Sequence, residues 1–242
     1  MRLRNNNMTT KCMQGGDILL VTGDGKLSKS LVDGQKLIYR GAISSHAELG
    51  TGDGIFVQAT MKKGVHLTFI VDELKKCAER WKVIRLKGID KTEQKKIVES
   101  GYFYLRQSYN KLFMGSGTDD SSFCSELVAK AYEKAEVTIL NGTIPSKVAP
   151  AHFDREAKDG SQWLDVTDEY VDELEKMEEN LDYYRELLEK IRLSMKNKAV
   201  QKDLNKITHD LASTIIKDKD WLDEAYKRLT DGQIKGWDDK DN

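Results

Sequence analysis

Cysteine is scarce. The 242 residues carry three, Cys12, Cys77 and Cys124, an odd number without paired or metal-type spacing, so neither a disulfide scaffold nor a zinc site is indicated and all three read as thiols in a reducing compartment. Long apolar runs are missing too. Ile18 to Val21 and Phe69 to Val71 fall far short of the ~20 residues that span a bilayer. No apolar stretch follows the basic segment of Arg2, Arg4 and Lys11 in the manner of a signal peptide. The expectation is a protein that is cytoplasmic as synthesised and reaches another compartment only through a specialised secretion system. Charge of one sign is absent as well: 39 Lys and Arg face 40 Asp and Glu. That balance supplies no positive field for a nucleic acid backbone, so nucleic acid is not expected as a partner. What remains, 39% hydrophobic and 33% charged residues with a mean hydropathy of -0.59, is the composition of a soluble globular protein.

Residues 16 to 88 are rich in strand signals: Asp17 to Val21, Ala42 to Leu49, Gly54 to Ala59, Gly64 to Val71 and Lys82 to Leu86, with Gly-Asp-Gly turns at 23 to 25 and 52 to 54. Asp72 is placed to cap a short helix running to Trp81, with Cys77 in its middle, and Asp90 with Glu93 starts a second helix through about Gln107 in capping-box fashion. A third runs from Phe123 to about Lys134. The class is α+β with an antiparallel sheet, and the core domain is expected over residues 15 to 160.

From Asp165 the composition changes. Tyr170, Leu174, Met177, Leu181, Tyr184, Leu188, Ile191 and Met195 follow alternating steps of four and three, a heptad seam on a long helix. A second apolar series, Val200, Leu204, Ile207, Leu211, Ile215, Leu222, Ala225 and Leu229, begins after Lys196-Asn197-Lys198 and predicts a return helix. Acids crowd the first series and lysines the second, which suits an α-helical hairpin over residues 165 to 235; a homodimer through the same helices fits the seam equally. A chain ending at residue 164 is expected to stay folded.

Cys124 lies just inside the start of the third helix, where unpaired amides and the helix dipole lower a thiol's pKa and make it nucleophilic. Cys77 and Cys12 have no such placement. His46 lies in a strand, a rigid position from which an imidazole can be aimed at a thiolate as general base. His46-Ala-Glu48 also has the His-x-Glu form of zinc deaminases, but the companion Pro-Cys-x-x-Cys is missing: Ser122 precedes Phe-Cys and Leu127 stands where the second cysteine belongs. Gly115-Ser-Gly117 lacks a following Gly-Lys-Ser/Thr and is not a phosphate loop; it is read as a flexible rim to the cleft. His66, His152 and His209 have no ligand-spaced companions, and no metal is expected.

Taken in order, Gly16-Asp-Ile-Leu-Leu20, Ser45-His-Ala-Glu-Leu49, Phe56-Val-Gln-Ala59 with Gly64-Val65, Ser108-Tyr-Asn-Lys-Leu-Phe113 and Phe123-Cys-Ser-Glu-Leu-Val128 resemble the circularly permuted NlpC/P60 family, papain-like proteins of the YiiX type distantly related to lecithin:retinol acyltransferase. In that family the histidine strand precedes the cysteine helix, as His46 precedes Cys124 here. The resemblance implies Cys124 as nucleophile, His46 as base and, on the next strand, Gln58 as the orienting polar residue where the family more often has Glu. Glu48 is the substitute candidate for that role. Tyr109 matches a family tyrosine whose hydroxyl helps hold an oxyanion, and Glu126 is read as structural, pairing with a basic group. The implied activity is a cofactor-free amidase or endopeptidase acting on peptidoglycan-type peptides, delivered as an antibacterial effector with a delivery or immunity protein as partner. The alternatives are a lipid acyl hydrolase or acyltransferase, and a non-catalytic scaffold with the helices as its interaction module.

Overall fold

The alternation of Ile18 and Leu20 with Asp17 and Leu19 puts two different surfaces on one strand, and both surfaces are covered. The computed structural model describes residues 13–115, 118, 120–160, 162–215, 221 and 223–228; Cys12 and two of the three rim residues, Ser116 and Gly117, lie outside them. The chain divides into two units, Met1–Leu188 and Glu189–Asn242.

In the first unit β1 (Gly15–Gly23) leads into α1 (Lys26–Gln35), and β2 (His46–Gly52), β3 (Ile55–Thr60) and β4 (Gly64–Phe69) form a meander. The turn between β2 and β3 holds Gly52, Asp53 and Gly54 all at positive φ, a conformation for which glycine at both ends is suited. A short α2 (Ile70–Leu74) precedes β5 (Cys77–Leu86), and α3 (Lys91–Phe103), β6 (Ser108–Tyr109), β7 (Ser121–Ser122), α4 (Cys124–Lys134), α5 (Pro150–Asp159), β8 (Trp163–Asp165) and α6 (Thr167–Glu178) follow. Six strands make one sheet in the order β4-β3-β2-β1-β5-β8, every neighbouring pair antiparallel. The α+β class with an antiparallel sheet is what the fold shows.

One face of the sheet packs Ile18, Leu20, Ala47, Leu49 and Ile84 against Ile97 of α3, Val128 and Tyr132 of α4 and Phe153 of α5. The other face is closed by α6 and the first turns of α7 (Leu181–Ile215). There Tyr170 lies on Phe56 with ring centroids 6.4 Å apart, and Tyr184 stacks on Phe69 at 5.9 Å. Met177, Tyr184 and Leu188 are buried. Below them Arg85 grips Asp17 through two bonds of 2.7 and 2.8 Å, while the Tyr170 hydroxyl donates to the same carboxylate at 2.7 Å. The packed unit therefore extends past the composition change at Asp165: β8 is an edge strand of the sheet, and residues 165–188 cover its second face. A 1–164 chain would leave this second face of the sheet uncovered.

Three local expectations are also corrected. The strand expected to reach Val71 stops at Phe69. The helix expected from Asp72 to Trp81 is cut to α2, because Trp81 and Val83 pair with Val21 and Leu19 of β1, and that pairing with its burial outweighs a local capping signal. Cys77 consequently opens a strand and is not mid-helix. The break expected at Lys196–Lys198 lies inside the continuous α7, since Lys and Asn impose only a small cost within a helix; the interruption falls instead at Glu179 and Asn180.

In the second unit α7 continues to Ile215 with Leu193, Val200, Leu204, Ile207 and Leu211 exposed. His209 Nε2 lies 2.9 Å from Asp223 Oδ1, fourteen residues on, and its ring meets Tyr226 at 4.5 Å. Fourteen residues of a single helix would separate the pair by about 21 Å, so the chain doubles back between them. Leu222 and Leu229 of the expected return series lie outside the described residues.

Candidate active site

The start of α4 is held by Glu126. Its carboxylate accepts from the Phe123 N–H at 3.1 Å and from Asn110 Nδ2 at 3.0 Å, and pairs with Lys130 at 3.0 Å. Lys130 in turn donates to the Thr118 and Ser121 carbonyls. Glu126 is the structural lock that its place two residues beyond Cys124 suggests. With Phe123 extended as N-cap, Cys124 is the first helical residue, at the positive end of the dipole.

His46 opens β2, and the loop ahead of it is fixed from across the molecule. Asp154 of α5 accepts the N–H groups of Ile43 and Ser44, both at 2.8 Å, and the Ser44 hydroxyl at 2.7 Å. Gln35 of α1 donates to the Ser44 carbonyl and accepts from the Ala151 N–H. These positioning residues are not readable in the sequence: Asp154 and its partners are 110 and 111 residues apart, and no motif links them.

Three of the four site residues read from the sequence meet directly. Cys124 and His46 lie close enough for each to shift the other's ionisation, and His46 Nε2 lies 2.8 Å from Gln58 Oε1. With Nε2 donating to the amide oxygen, Nδ1 is the nitrogen left for the thiol. Glu48 stands farther off, its Oε1 at 3.9 Å from Nε2. The neutral Gln58, not Glu48, thus makes the orienting contact. Tyr109, the fourth residue, sits on β6 beside β7, which leads into the Cys124 helix, close enough for the charge of Cys124 to act on it.

Burial works against ionisation of the thiol, but the facing His46 charge, the hydrogen bond to it and the N–H groups of Ala47 and Ser125 together hold Cys124 below the ordinary thiol range. For His46 burial alone would depress the imidazole; the Cys124 thiolate, its hydrogen bond, Glu48 and Gln58 instead raise it to about 10. Both shifts favour the thiolate–imidazolium form of the pair. One edge of the ring reaches solvent, with 21% of the side chain exposed. Cys77 is the opposite case, since burial and the nearby Glu48 and Glu73 push its thiol up to about 12. Among the described residues no three His, Cys, Asp or Glu side chains group to hold a metal ion, and no helix is long and apolar enough to cross a membrane.

A thiol at a helix start, facing an imidazole on an antiparallel sheet that a side-chain amide orients, is the arrangement of the papain-like hydrolases. The order of the two residues, histidine strand before cysteine helix, is the permuted one. The chain belongs to the C92 peptidase family, the permuted papain-like amidases of YaeF/YiiX type, whose model matches residues 12–153. Among solved structures it is similar to the metalloprotein yiiX from Escherichia coli O157:H7, with 24% identity, a TM-score of 0.42 and coverage of 50% of this chain and 66% of that one. No curated protein matches.

Proposed function

We propose that the protein is a cysteine amidase that cleaves short peptides of the peptidoglycan type. One observation carries the reading: the grouping of Cys124, His46 and Gln58, with the imidazole on the Gln58 amide oxygen, the thiol held down and the imidazole held up. The Cys124 thiolate attacks the amide carbonyl carbon, a C–S bond forms, and the carbonyl π electrons move to oxygen. The backbone N–H of Cys124 at the start of α4 and the Tyr109 hydroxyl are the donors for that oxyanion. Burial, with the charges of Cys124 and Glu126, keeps the Tyr109 phenol protonated well above its ordinary range, so it stays a donor. Collapse expels the amine, which takes its proton from the His46 imidazolium. Water, giving a proton to His46, then attacks the thioester and releases the acid. On a cell-wall substrate the enzyme acts as a delivered antibacterial effector paired with an immunity protein.

A lipid ester is the second reading, favoured by α1. This helix follows directly on β1, whose last residue Gly23 bonds the Ser45 side chain beside His46, and it exposes Leu27, Leu31 and, just beyond it, Leu37 among Lys26, Lys29 and Lys36. Hydrolysis of stem peptides and of phospholipid vesicles, each compared with Cys124→Ala, separates the two. Cys124 is expected to be alkylated by iodoacetamide well below pH 8.5, with that reactivity lost in His46→Ala. A Cys124 that reacts no faster than Cys77 refutes the mechanism.

A further inference from the structure

In a cysteine or serine triad the third residue does two things: it fixes the imidazole's tautomer and orientation, and its negative charge stabilises the imidazolium. Gln58 does the first at 2.8 Å and, being neutral, cannot do the second. We propose that the two tasks are divided in this protein, Gln58 orienting His46 and the buried Glu48 carboxylate supplying the charge, so that Glu48 is a positioning residue that acts through His46. The proposal rests on His46 as the base.

Glu48 follows His46 by two residues on β2, hence on the same face of the strand, and is held between β1 and β3, with Leu19 directly opposite. It is 0% exposed, and neither of its oxygens has a hydrogen-bond partner. A buried carboxyl with both oxygens unmet is a net cost to folding, of the kind that persists where it serves a site. The groups acting on it come from every side. His46 on its own strand is the nearest cation, and Glu73 of α2 and the Cys124 thiolate of α4 oppose its ionisation. Lys76, at the turn into β5, is exposed and bonded to Glu73 at 2.8 Å. Cys77 is held protonated and adds no charge. Burial raises Glu48 to about 8 even with His46 beside it. Glu48 therefore carries its charge above about pH 8, where His46 is still an imidazolium, and there that charge keeps His46 protonated to higher pH than the Gln58 bond alone.

The test is the titration of His46 by NMR of its ring carbons and protons in the full chain carrying Cys124→Ala, which removes the thiolate's own effect. Adding Glu48→Gln is expected to lower the His46 midpoint by one pH unit or more, a tenfold or greater loss of proton affinity, with the melting temperature unchanged or raised. Adding Gln58→Glu to that variant should restore the midpoint by placing a carboxylate on Nε2. An unmoved midpoint in folded Glu48→Gln overturns the proposal. Should Glu48→Gln not fold, Glu48→Asp takes its place, where the retracted carboxylate should give a partial fall and an unmoved midpoint again overturns it. Because the titration uses neither substrate nor Cys124, a failure of the amidase reading leaves this result intact, and the reverse also holds.

Discussion

Tyr170 tests whether residues 165–188 belong to the folded unit. Its ring is buried against Phe56 and its hydroxyl donates to Asp17 at 2.7 Å. Truncating a buried aromatic to alanine costs about 3–5 kcal/mol. Tyr170→Phe keeps the ring and removes one hydrogen bond to a carboxylate, which costs about 1.5–3 kcal/mol. Asp17 retains Arg85 and the Gln14 N–H at 3.1 Å, which places the cost near the lower end. With a urea m-value of about 2 kcal/mol/M, Tyr170→Ala should lower the unfolding midpoint by roughly 1.5–2.5 M and Tyr170→Phe by roughly 0.75 M. Equilibrium urea unfolding followed by tryptophan fluorescence reads both, since Trp81 and Trp163 lie on β5 and β8. A Tyr170→Ala midpoint within about 0.3 M of wild type would mean that α6 is an appendage, and the account of the second sheet face would fall.

The remaining predictions follow from the same contacts. A chain ending at residue 164 should aggregate, with dye binding to the uncovered Phe56 and Phe69 face; a monomeric, cooperatively melting product would contradict this. Gln58→Ala should lower kcat about a hundredfold or more at little cost in KM, read on the best substrate of the peptide panel. Asp154→Ala removes three hydrogen bonds from the loop before His46 and should destabilise the fold by about 2–4 kcal/mol while slowing Cys124 alkylation. Glu48 is raised from 4.5 to about 8, so the folded chain binds more protons than the unfolded one between these values. The stability it contributes is fully present below pH 4.5 and is lost as pH rises through about 8; in Glu48→Gln, melting curves across this range should lose that part of the slope.

Much of the site was legible because it lies in short motifs whose order along the chain is distinctive, and the structure brings His46, Gln58 and Cys124 within bonding reach. The capping box of Asp90 and Glu93 forms in both directions, at 2.8 and 2.9 Å. Elements set by distant partners were not legible. α1 turns its leucines to solvent and shows no core-facing stripe, β8 is three residues long and exists through its pairing with β5, and α5 is fixed by its reach to Ser44. The long seam was half informative. As far as Leu188 its residues face the sheet, Ile191 and Met195 are half-buried, and Val200, Leu204, Ile207 and Leu211 of the second series lie exposed.

The position of β8 and α6 at the end of the packed unit bears on synthesis. Every residue of the candidate site has left the ribosome once Cys124 has emerged, yet the side of the sheet that bears Phe56 and Phe69 stays open until the chain has been made through Leu188. A nascent chain of intermediate length holds the thiol, the imidazole and the amide on a half-covered sheet. The order of translation therefore makes closure of the core, rather than appearance of the nucleophile, the last event in assembling the enzyme.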